Sequence, residues 1–281
     1  MGNMSVLTKT FVYSWHILLL FRGKNLPLHL CKKMKTEVSI VIPAYNESER
    51  IAAPLRTILE FISTSGLNAE VIVVDDGSSD DTAAVANEVC KLHPNISSEV
   101  VRYDKNRGKG FAVKTGLLAA KGDIALFTDA DLSTPIEEIS KLVDPIRNGD
   151  YDVTLGSRAL DRSLIGTHQP WRREQGGRVM NLIIKTMSGL PFYDTQCGFK
   201  AFNMLKFRPL LDVMKIDRFG FDVEFLFVAN RHGLRLDEIP VRWNDVAGSK
   251  VSVFRDTRRM LSELNQIRRN AAKGLYDLES E

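Results

Sequence analysis

Short, solid apolar runs that alternate with longer helical stretches most constrain the fold of this chain. Each run is rich in apolar residues, many of them β-branched, which predicts buried strands. The runs are Val38–Ile42, which Pro43 ends, Glu70–Val74, Glu99–Tyr103, Asp123–Thr128 and Asp152–Gly156. Helices are predicted over 48–65, from Ser79 or Asp80 to Leu92, over 109–121 and from Pro135 onward. This alternation predicts an α/β fold with a mostly parallel sheet covered by helices on both faces.

Beyond Arg158 the alternation is weaker. Residues 159–178 are predicted to form a basic loop, followed by a helix over 179–188. The later elements are a short strand within 194–202, a helix over 221–231 and a strand over 235–241. We therefore predict one domain over residues 37–250 with a C-terminal elaboration, an N-terminal extension over 1–36, and a basic amphipathic helix and tail over 251–281.

Both ends of the chain carry features that bear on membrane binding. Residues 1–36 hold six Lys/Arg and no acidic residue. The apolar stretch Phe11–Phe21 is shorter than the ~20 residues that a membrane-spanning helix needs, so this segment either lies in a membrane interface or is a dispensable extension. The stretch 254–272 has an apolar helical face beside arginines, and it either packs on the domain or rests on a bilayer. The net charge of +3 is too small to indicate a nucleic-acid partner.

The triplet Asp129-Ala130-Asp131 directly follows a predicted buried strand. Two carboxylates at this position suit Mg²⁺ or Mn²⁺, which prefer oxygen ligands. Such a cation neutralises the charge that develops on a departing diphosphate. The rival interpretation is an ordinary turn whose aspartates cap backbone N–H groups. The position beside other acidic clusters favours the metal.

Polar clusters follow four of the predicted strands, and ligands of parallel sheets bind outside the carboxyl ends of the strands. The clusters are Pro43–Glu47, Asp75–Ser78, Asp129–Asp131 and Ser157-Arg158. A carboxylate of Asp75 or Asp76 suits a nucleobase N–H or a ribose hydroxyl, with a turn and helix cap as the rival. The glycine-rich stretch Asn106–Gly110 precedes a helix and carries Lys109, which suits a diphosphate contact, with a glycine turn as the rival.

Several motifs together resemble those of family-2 glycosyltransferases over residues 37–255. They are VSIVIPAYNE (38–47), VVDDGS (73–78), NRGKGFAVKTG (106–116), TDADLSTP (128–135), GSR (156–158) and DTQCGFKAF (194–202). The resemblance is greatest to the polyprenyl-phosphate branch, which comprises the dolichyl-phosphate β-glucosyltransferases and mannosyltransferases. It implies a GT-A fold, which is Rossmann-like, and an inverting transfer.

The resemblance also implies roles for individual residues. The nucleotide-sugar pocket is expected to include Pro43, Tyr45, Glu47, Asp75, Asp76, Lys109, Asp129, Ala130 and Asp131. The metal ligands are expected to be Asp129 and Asp131, and the acceptor phosphate is expected to bind Arg158, Arg173 and Lys250. The sequence has glycine at position 177, where mannosyl relatives carry serine, so the acceptor contacts depart from that pattern.

A phosphate acceptor is already anionic, so it needs cationic positioning rather than a general base. Residues 158–178 supply five arginines at positions 158, 162, 172, 173 and 178. A sugar hydroxyl would need a base, for which Asp194, Asp222 and Glu224 are candidates, although Glu224 is equally suited to orienting the basic loop. We predict hexose transfer, glucose from UDP-glucose, to dolichyl or undecaprenyl phosphate by a cytoplasmic enzyme peripheral to a membrane surface. The alternatives are GDP-mannose as donor, a sugar-hydroxyl acceptor, and a non-catalytic nucleotide-sugar-binding subunit.

Overall fold

A computed structural model describes residues 36–167, 171–246 and 253–278, and the side chains of 171–173 and 253–257 lie outside this description. A seven-stranded sheet with the order β3-β2-β1-β4-β7-β5-β8 forms its centre, and β6 pairs with β9 in a second sheet. The strands are β1 (Val38–Ala44), β2 (Ala69–Asp75), β3 (Ser97–Arg102), β4 (Ile124–Thr128), β5 (Val153–Ser157), β6 (Ile165–Thr167), β7 (Phe199–Asn203), β8 (Leu236–Pro240) and β9 (Trp243–Asn244). Within the large sheet only β7 runs antiparallel to its neighbours, β4 and β5. The predicted mostly parallel α/β sheet is confirmed.

The helices follow the strands along the chain. They are α1 (Ala52–Ser65), α2 (Thr82–Lys91), α3 (Lys109–Ala119), α4 (Ile139–Arg147), α5 (Trp171–Ser188), α6 (Met204–Leu211), α7 (Phe221–Arg231) and α8 (Val253–Ala272), with short 3₁₀ turns at Ile136–Glu138 and Arg162–Leu164. No helix within these described residues is both long enough and apolar enough to cross a membrane.

The large sheet separates two hydrophobic cores. Successive side chains of a strand point to opposite faces, so Ile40 and Ile42 of β1 pack in one core and Val41 in the other. Helix α3 approaches the second face closely because Gly116 has no side chain. A Cβ there would overlap Val41 Cγ1.

Two boundaries near the first polar cluster differ from the prediction. Strand β1 continues through Pro43 to Ala44, because its pairing with β4 ends at Val41 and the proline has a strand neighbour on one side only. Helix α1 begins at Ala52 rather than Ser48. The intervening residues form a turn in which the Ser48 N–H donates to Asp80 and the Arg50 N–H donates to the Glu47 carbonyl.

The prediction that residues 159–178 form a loop is wrong for its second half. Helix α5 begins at Trp171 and continues through Gly176-Gly177 to Ser188. Glycine is a poor helix former, so Gly176 and Gly177 favour the prediction of a loop. In the structure the ion pair of Glu174 with Arg178 spans the helical turn that contains both glycines. Helix α6 has no counterpart in the prediction; its sequence signal is the Asn203 cap, whose side chain accepts from the Leu205 N–H.

The C-terminal helix α8 packs on the domain. Its residues Met260, Leu264 and Ile267 are almost fully buried in the core that lies on the Val41 side of the sheet. The alternative of an apolar face resting on a bilayer is therefore wrong for these three residues, because their surface is already covered by protein.

Candidate active site

The carboxyl ends of β1, β2 and β4 open into one cavity of about 500 Å³. Eight residues predicted for the nucleotide-sugar pocket line it: Pro43, Tyr45, Glu47, Asp76, Lys109, Asp129, Ala130 and Asp131. Sequence reasoning missed Arg218 and Phe219, which line the cavity from the segment before α7. They belong to no recognisable sequence motif. They reach the cavity because the segment before α7 packs against the start of α3, where the Phe111 N–H donates to the Asp217 carbonyl.

The Asp129 and Asp131 carboxylates lie in the turn 129–131 that follows β4, which we call the acidic turn. The Asp129 N–H donates to the Gly198 carbonyl at 3.1 Å, which fixes the backbone at the start of the turn. Asp131 Oδ1 accepts from the Ser133 N–H at 3.0 Å, and Leu132 takes a positive φ of 50°. The predicted rival role of a turn cap thus applies to Asp131, while its carboxylate still lines the cavity.

Lys109, which the sequence suggests as a diphosphate contact, pairs with Asp129 in this structure. Its Nζ lies 2.5 Å from Asp129 Oδ1, and the side chains of Lys109 and Asp129 are 27% and 35% exposed. Burial alone would lower the pKa of Lys109, but the Asp129 and Asp222 carboxylates outweigh it and raise the pKa above its usual value. The cavity therefore contains a fixed positive charge next to the acidic pair.

Gly198 makes room for the Asp129 carboxylate. A Cβ at position 198 would overlap both the Asp129 Oδ1 and Oδ2 atoms. This glycine belongs to the 194–202 stretch and directly precedes β7, which pairs with β4.

Replacing Gly198 with alanine is therefore expected to displace the Asp129 carboxylate and lower transfer activity by about 10- to 100-fold, as displacements of about 1 Å do in active sites. Steady-state kinetics, with circular dichroism to check the fold, measure this effect. Gly176→Ala is the matched control, because no atom lies within 4 Å of a Cβ there. Equal activity of the two variants would contradict the assigned role of Gly198.

Asp76 is saturated by donors of this chain. Its carboxylate accepts from the Tyr103 hydroxyl at 2.7 Å, and from Asn106 Nδ2, the Arg107 N–H and the Gly108 N–H at 2.8 Å each. Burial and this carboxylate raise the pKa of Tyr103. The structure thus gives Asp76 a task beyond the predicted nucleotide contact, which is to hold the 106–108 loop at the start of α3.

Asp75 is fully buried and does not line the cavity, although it was predicted as a residue of the nucleotide-sugar pocket. Its Oδ1 accepts from the Ser78 N–H at 2.9 Å. Its Oδ2 lies 3.5 Å from Arg102 Nε, a distance that gives an ion pair but no hydrogen bond. The carboxylate therefore serves the turn after β2, which is the rival role that the sequence left open.

The segment after β1 is tied to the segment after β2. The Asn46 N–H donates to Ser78 Oγ and the Glu47 N–H to Thr82 Oγ1. The Glu47 carboxylate receives two 2.8 Å hydrogen bonds from Arg50. The N-cap position of α2 is Asp81, not Ser79 or Asp80 as predicted. The Asp80 carboxylate nevertheless accepts from the Thr82 N–H, whereas the Ser79 N–H donates to Asn46 Oδ1.

A buried ion pair of Lys200 and Asp222 lies close to the segment that contacts Asp129. Sequence reasoning named Asp222 as a candidate base but missed Lys200. Lys200 of β7 is fully buried, and its Nζ lies 2.5 Å from both Asp222 Oδ1 and the Cys197 carbonyl. Burial raises the pKa of Asp222 in spite of Lys200 and Lys109. By holding the Cys197 carbonyl, Lys200 fixes the residue before Gly198.

Arg158 lies on the same edge of the sheet but lines a second cavity of about 140 Å³. Its Nε and Nη2 donate to the two oxygens of Asp194 at 2.7 Å each, and its Cζ lies 5.4 Å from the Trp243 ring centre. Burial alone would raise the pKa of Asp194, but Arg158 outweighs it and lowers the pKa. The guanidinium is therefore held in one orientation.

Of the other basic residues considered for the acceptor phosphate, some line the second cavity and others lie outside the described part of the chain. Arg162 and Arg178 both line the second cavity and both pair with Glu174. Arg173 lies in the first turn of α5, with its side chain outside the described part, and Lys250 lies outside the described residues altogether.

The three carboxylates predicted as candidate bases are all engaged. Asp194 pairs with Arg158 and Asp222 with Lys200. Glu224 accepts from the Lys215 and Ile216 N–H groups at 2.9 Å and from the Tyr276 hydroxyl at 2.6 Å. The suggestion that Glu224 orients the basic loop is wrong, because its partners lie at 215–216 and 276.

Solved structures with the same fold include two glycosyl-3-phosphoglycerate synthases. The Rubrobacter xylanophilus mannosyl-3-phosphoglycerate synthase is 18% identical, with a TM-score of 0.62 over 89% of this chain and 78% of that one. The Mycobacterium tuberculosis glucosyl-3-phosphoglycerate synthase, solved with Mn²⁺, UDP-glucose and phosphoglyceric acid, is 19% identical, with a TM-score of 0.60 over 84% and 80% of the two chains. At these identities the likeness shows the fold alone, and that fold is the predicted GT-A type.

Sequence comparison shows the family. Residues 39–212 match the model of glycosyl transferase family 2. The dolichyl-phosphate β-glucosyltransferase of Saccharomyces cerevisiae is 32% identical over 85% of this chain and 76% of its own. The enzyme of the same name from Drosophila melanogaster is 36% identical over 78% of this chain and 70% of its own. The chain therefore belongs to glycosyl transferase family 2.

Proposed function

We propose that this glycosyltransferase moves a hexose, glucose from UDP-glucose, to a polyprenyl phosphate such as dolichyl phosphate. The similarity to dolichyl-phosphate β-glucosyltransferases of two organisms carries this proposal. In the reaction, the bond from the anomeric carbon to the UDP oxygen breaks, a bond to an oxygen of the lipid phosphate forms on the opposite face, and UDP leaves. We further propose that the enzyme works at a membrane surface, where such an acceptor resides.

The acidic turn suits a divalent cation. Asp129 and Asp131 offer carboxylate oxygens to the larger cavity, and the missing side chain of Gly198 leaves space beside them. Two carboxylates are enough for Mg²⁺, which proteins usually hold by one or two carboxylates together with substrate phosphates and water. A bound cation would neutralise charge on the departing diphosphate.

The remaining residues of the two cavities suit a nucleotide and a phosphate acceptor. Asp76 and the 106–108 loop shape the side of the cavity formed after β2, and Lys109 adds a positive charge for phosphate. The second cavity offers Arg158, with Arg162 and Arg178 nearby, for the acceptor phosphate. A phosphate oxygen is already a nucleophile at neutral pH, and the three candidate bases are bound by other groups, which supports a phosphate acceptor over a hydroxyl.

An assay with radiolabelled donor tests the proposal. The protein is incubated with labelled UDP-glucose or GDP-mannose, Mg²⁺ or Mn²⁺, and dolichyl or undecaprenyl phosphate in detergent. Label from UDP-glucose is expected in the organic phase, and addition of EDTA is expected to abolish it. No extractable label in any combination would overturn the acceptor assignment, and a preference for GDP-mannose would overturn the donor.

A further inference from the structure

The Lys109 ammonium lies against Asp129, in the place beside the acidic turn where a cation would bind. We propose that Lys109 is a resident counter-ion which makes divalent-cation binding depend on the nucleotide. In the free protein it neutralises Asp129, and when a nucleoside diphosphate enters the cavity it transfers to the phosphate oxygens and releases Asp129 to the cation. This inference rests on the proposed function, since it concerns the same donor site.

The backbone that carries Lys109 is fixed on both sides. The Gly108 N–H donates to Asp76, and the Phe111 N–H donates to the Asp217 carbonyl at 3.0 Å. A Cβ at Gly108 would lie 2.5 Å from the Asp217 carbonyl oxygen, and a Cβ at Gly110 would lie 2.5 Å from the Phe221 Cβ, so the backbone at the helix start is closely packed on both sides. Any change of partner must therefore come from the four-carbon side chain, which is about one quarter exposed and faces the cavity.

The charges in the cavity favour such an exchange. Asp129 and Asp131 together carry two negative charges, and pairing with Lys109 leaves a net charge of −1 for a divalent cation to meet. Cation affinity of carboxylate sites depends on the number of charged ligands, so the lysine weakens the empty site. A diphosphate supplies new acceptors for Lys109 and new ligands for the cation together.

Lys109 retains other stabilising contacts after it leaves Asp129. Its Nζ lies 6.0 Å from the centre of the Phe221 ring, and the Asp222 carboxylate also stabilises its charged form. Phe221 and Asp222 begin α7, so this helix start stabilises the ammonium while it exchanges Asp129 for the phosphate oxygens. The nucleotide and the cation are thereby linked, and each raises the affinity for the other by the same factor.

Direct binding of Mn²⁺ tests the inference without turnover. Free Mn²⁺ is measured by electron paramagnetic resonance, with and without UDP, for the wild-type protein, Lys109→Met and Lys105→Met. Without UDP, Lys109→Met is expected to bind Mn²⁺ roughly tenfold more tightly than the wild type, because one neighbouring positive charge is gone. The increase that UDP causes is expected to be smaller in Lys109→Met than in the wild type. Lys105→Met removes the same charge from an exposed loop residue and is expected to behave as the wild type.

Three outcomes decide the matter. Equal Mn²⁺ affinity of Lys109→Met and the wild type without UDP would overturn the inference and leave the proposed function standing. Wild-type protein that binds Mn²⁺ as tightly without UDP as with it would do the same. Absence of Mn²⁺ binding even with UDP would overturn the inference together with the proposed cation site. Lys109→Gln, which keeps a polar side chain, replaces the methionine variant if circular dichroism shows that the latter is unfolded.

Discussion

Replacing Asp131 with alanine is expected to lower the rate of sugar transfer by about 10³-fold or more, since a bound cation contributes several kcal/mol to stabilising transition-state charge. Asp131 lines the donor cavity, and its carboxylate is one of two in the turn after β4. The core residues of β4 are untouched, so the free energy of unfolding is expected to change little. Initial rates with labelled donor and a thermal unfolding curve measure the two quantities.

A second variant separates the metal role of Asp131 from its role in the turn. Asp131 Oδ1 accepts from the Ser133 N–H, and asparagine retains that acceptor while losing the charge. Asp131→Asn is therefore expected to be as inactive as Asp131→Ala, and Asp150→Ala, an exposed aspartate on the surface, is expected to be fully active. Activity of Asp131→Asn near the wild-type level would rule out Asp131 as a cation ligand.

Replacing Lys200 with methionine is expected to reduce the free energy of unfolding by about 3–5 kcal/mol, the usual cost of leaving one partner of a buried ion pair without its counter-charge. Lys200 is fully buried, and its Nζ lies 2.5 Å from Asp222 Oδ1. The loss also frees the Cys197 carbonyl, which precedes the glycine that packs on Asp129. Chemical denaturation measures the stability, and transfer assays at a low temperature measure the effect on the acidic turn.

The pH dependence of this variant has a definite sign. Burial already raises the pKa of Asp222 above its usual value, and removal of Lys200 raises it further. A carboxyl group whose pKa is higher in the folded than in the unfolded state stabilises the folded protein at low pH. This contribution is lost as pH rises through the folded-state pKa. The destabilisation caused by Lys200→Met is therefore expected to be smaller at pH 5 than at pH 8. The double variant Lys200→Met/Asp222→Asn is expected to recover part of the lost free energy of unfolding.

Lys206→Met is the matched control for Lys200→Met. Lys206 also pairs with a buried carboxylate, that of Asp152, but its side chain is about half exposed and Asp152 keeps Arg235 as a partner. A change of no more than about 1 kcal/mol is expected, as for exposed pairs. If both lysine variants lose the same stability, burial of the Lys200 ion pair is not the cause.

The strands and the acidic turn could be predicted because each is encoded by a short, continuous stretch of sequence. Buried parallel strands are continuous apolar runs, so β1, β2, β4 and β5 were located to within two residues at each end. Their carboxyl ends meet at one edge of the sheet, which is why Asp76 and Asp129 were expected together. Helix α5 was misjudged, because glycines at 176 and 177 weaken the helical pattern and the supporting pair of Glu174 and Arg178 gives only a weak signal.

The sequence by itself determined the alternation of strands and helices, the edge of the sheet that binds ligands, and the motifs of a glycosyltransferase. Only the tertiary structure decided which charges pair. Lys200 with Asp222 and Arg158 with Asp194 join residues 22 and 36 positions apart, and Lys109 and Asp129 are separated in the sequence by α3 and β4. No periodicity encodes such pairs, because they depend on how far each side chain is buried and on the path of β7 between β4 and β5. The same burial sets whether each of these carboxylates is free to bind a ligand.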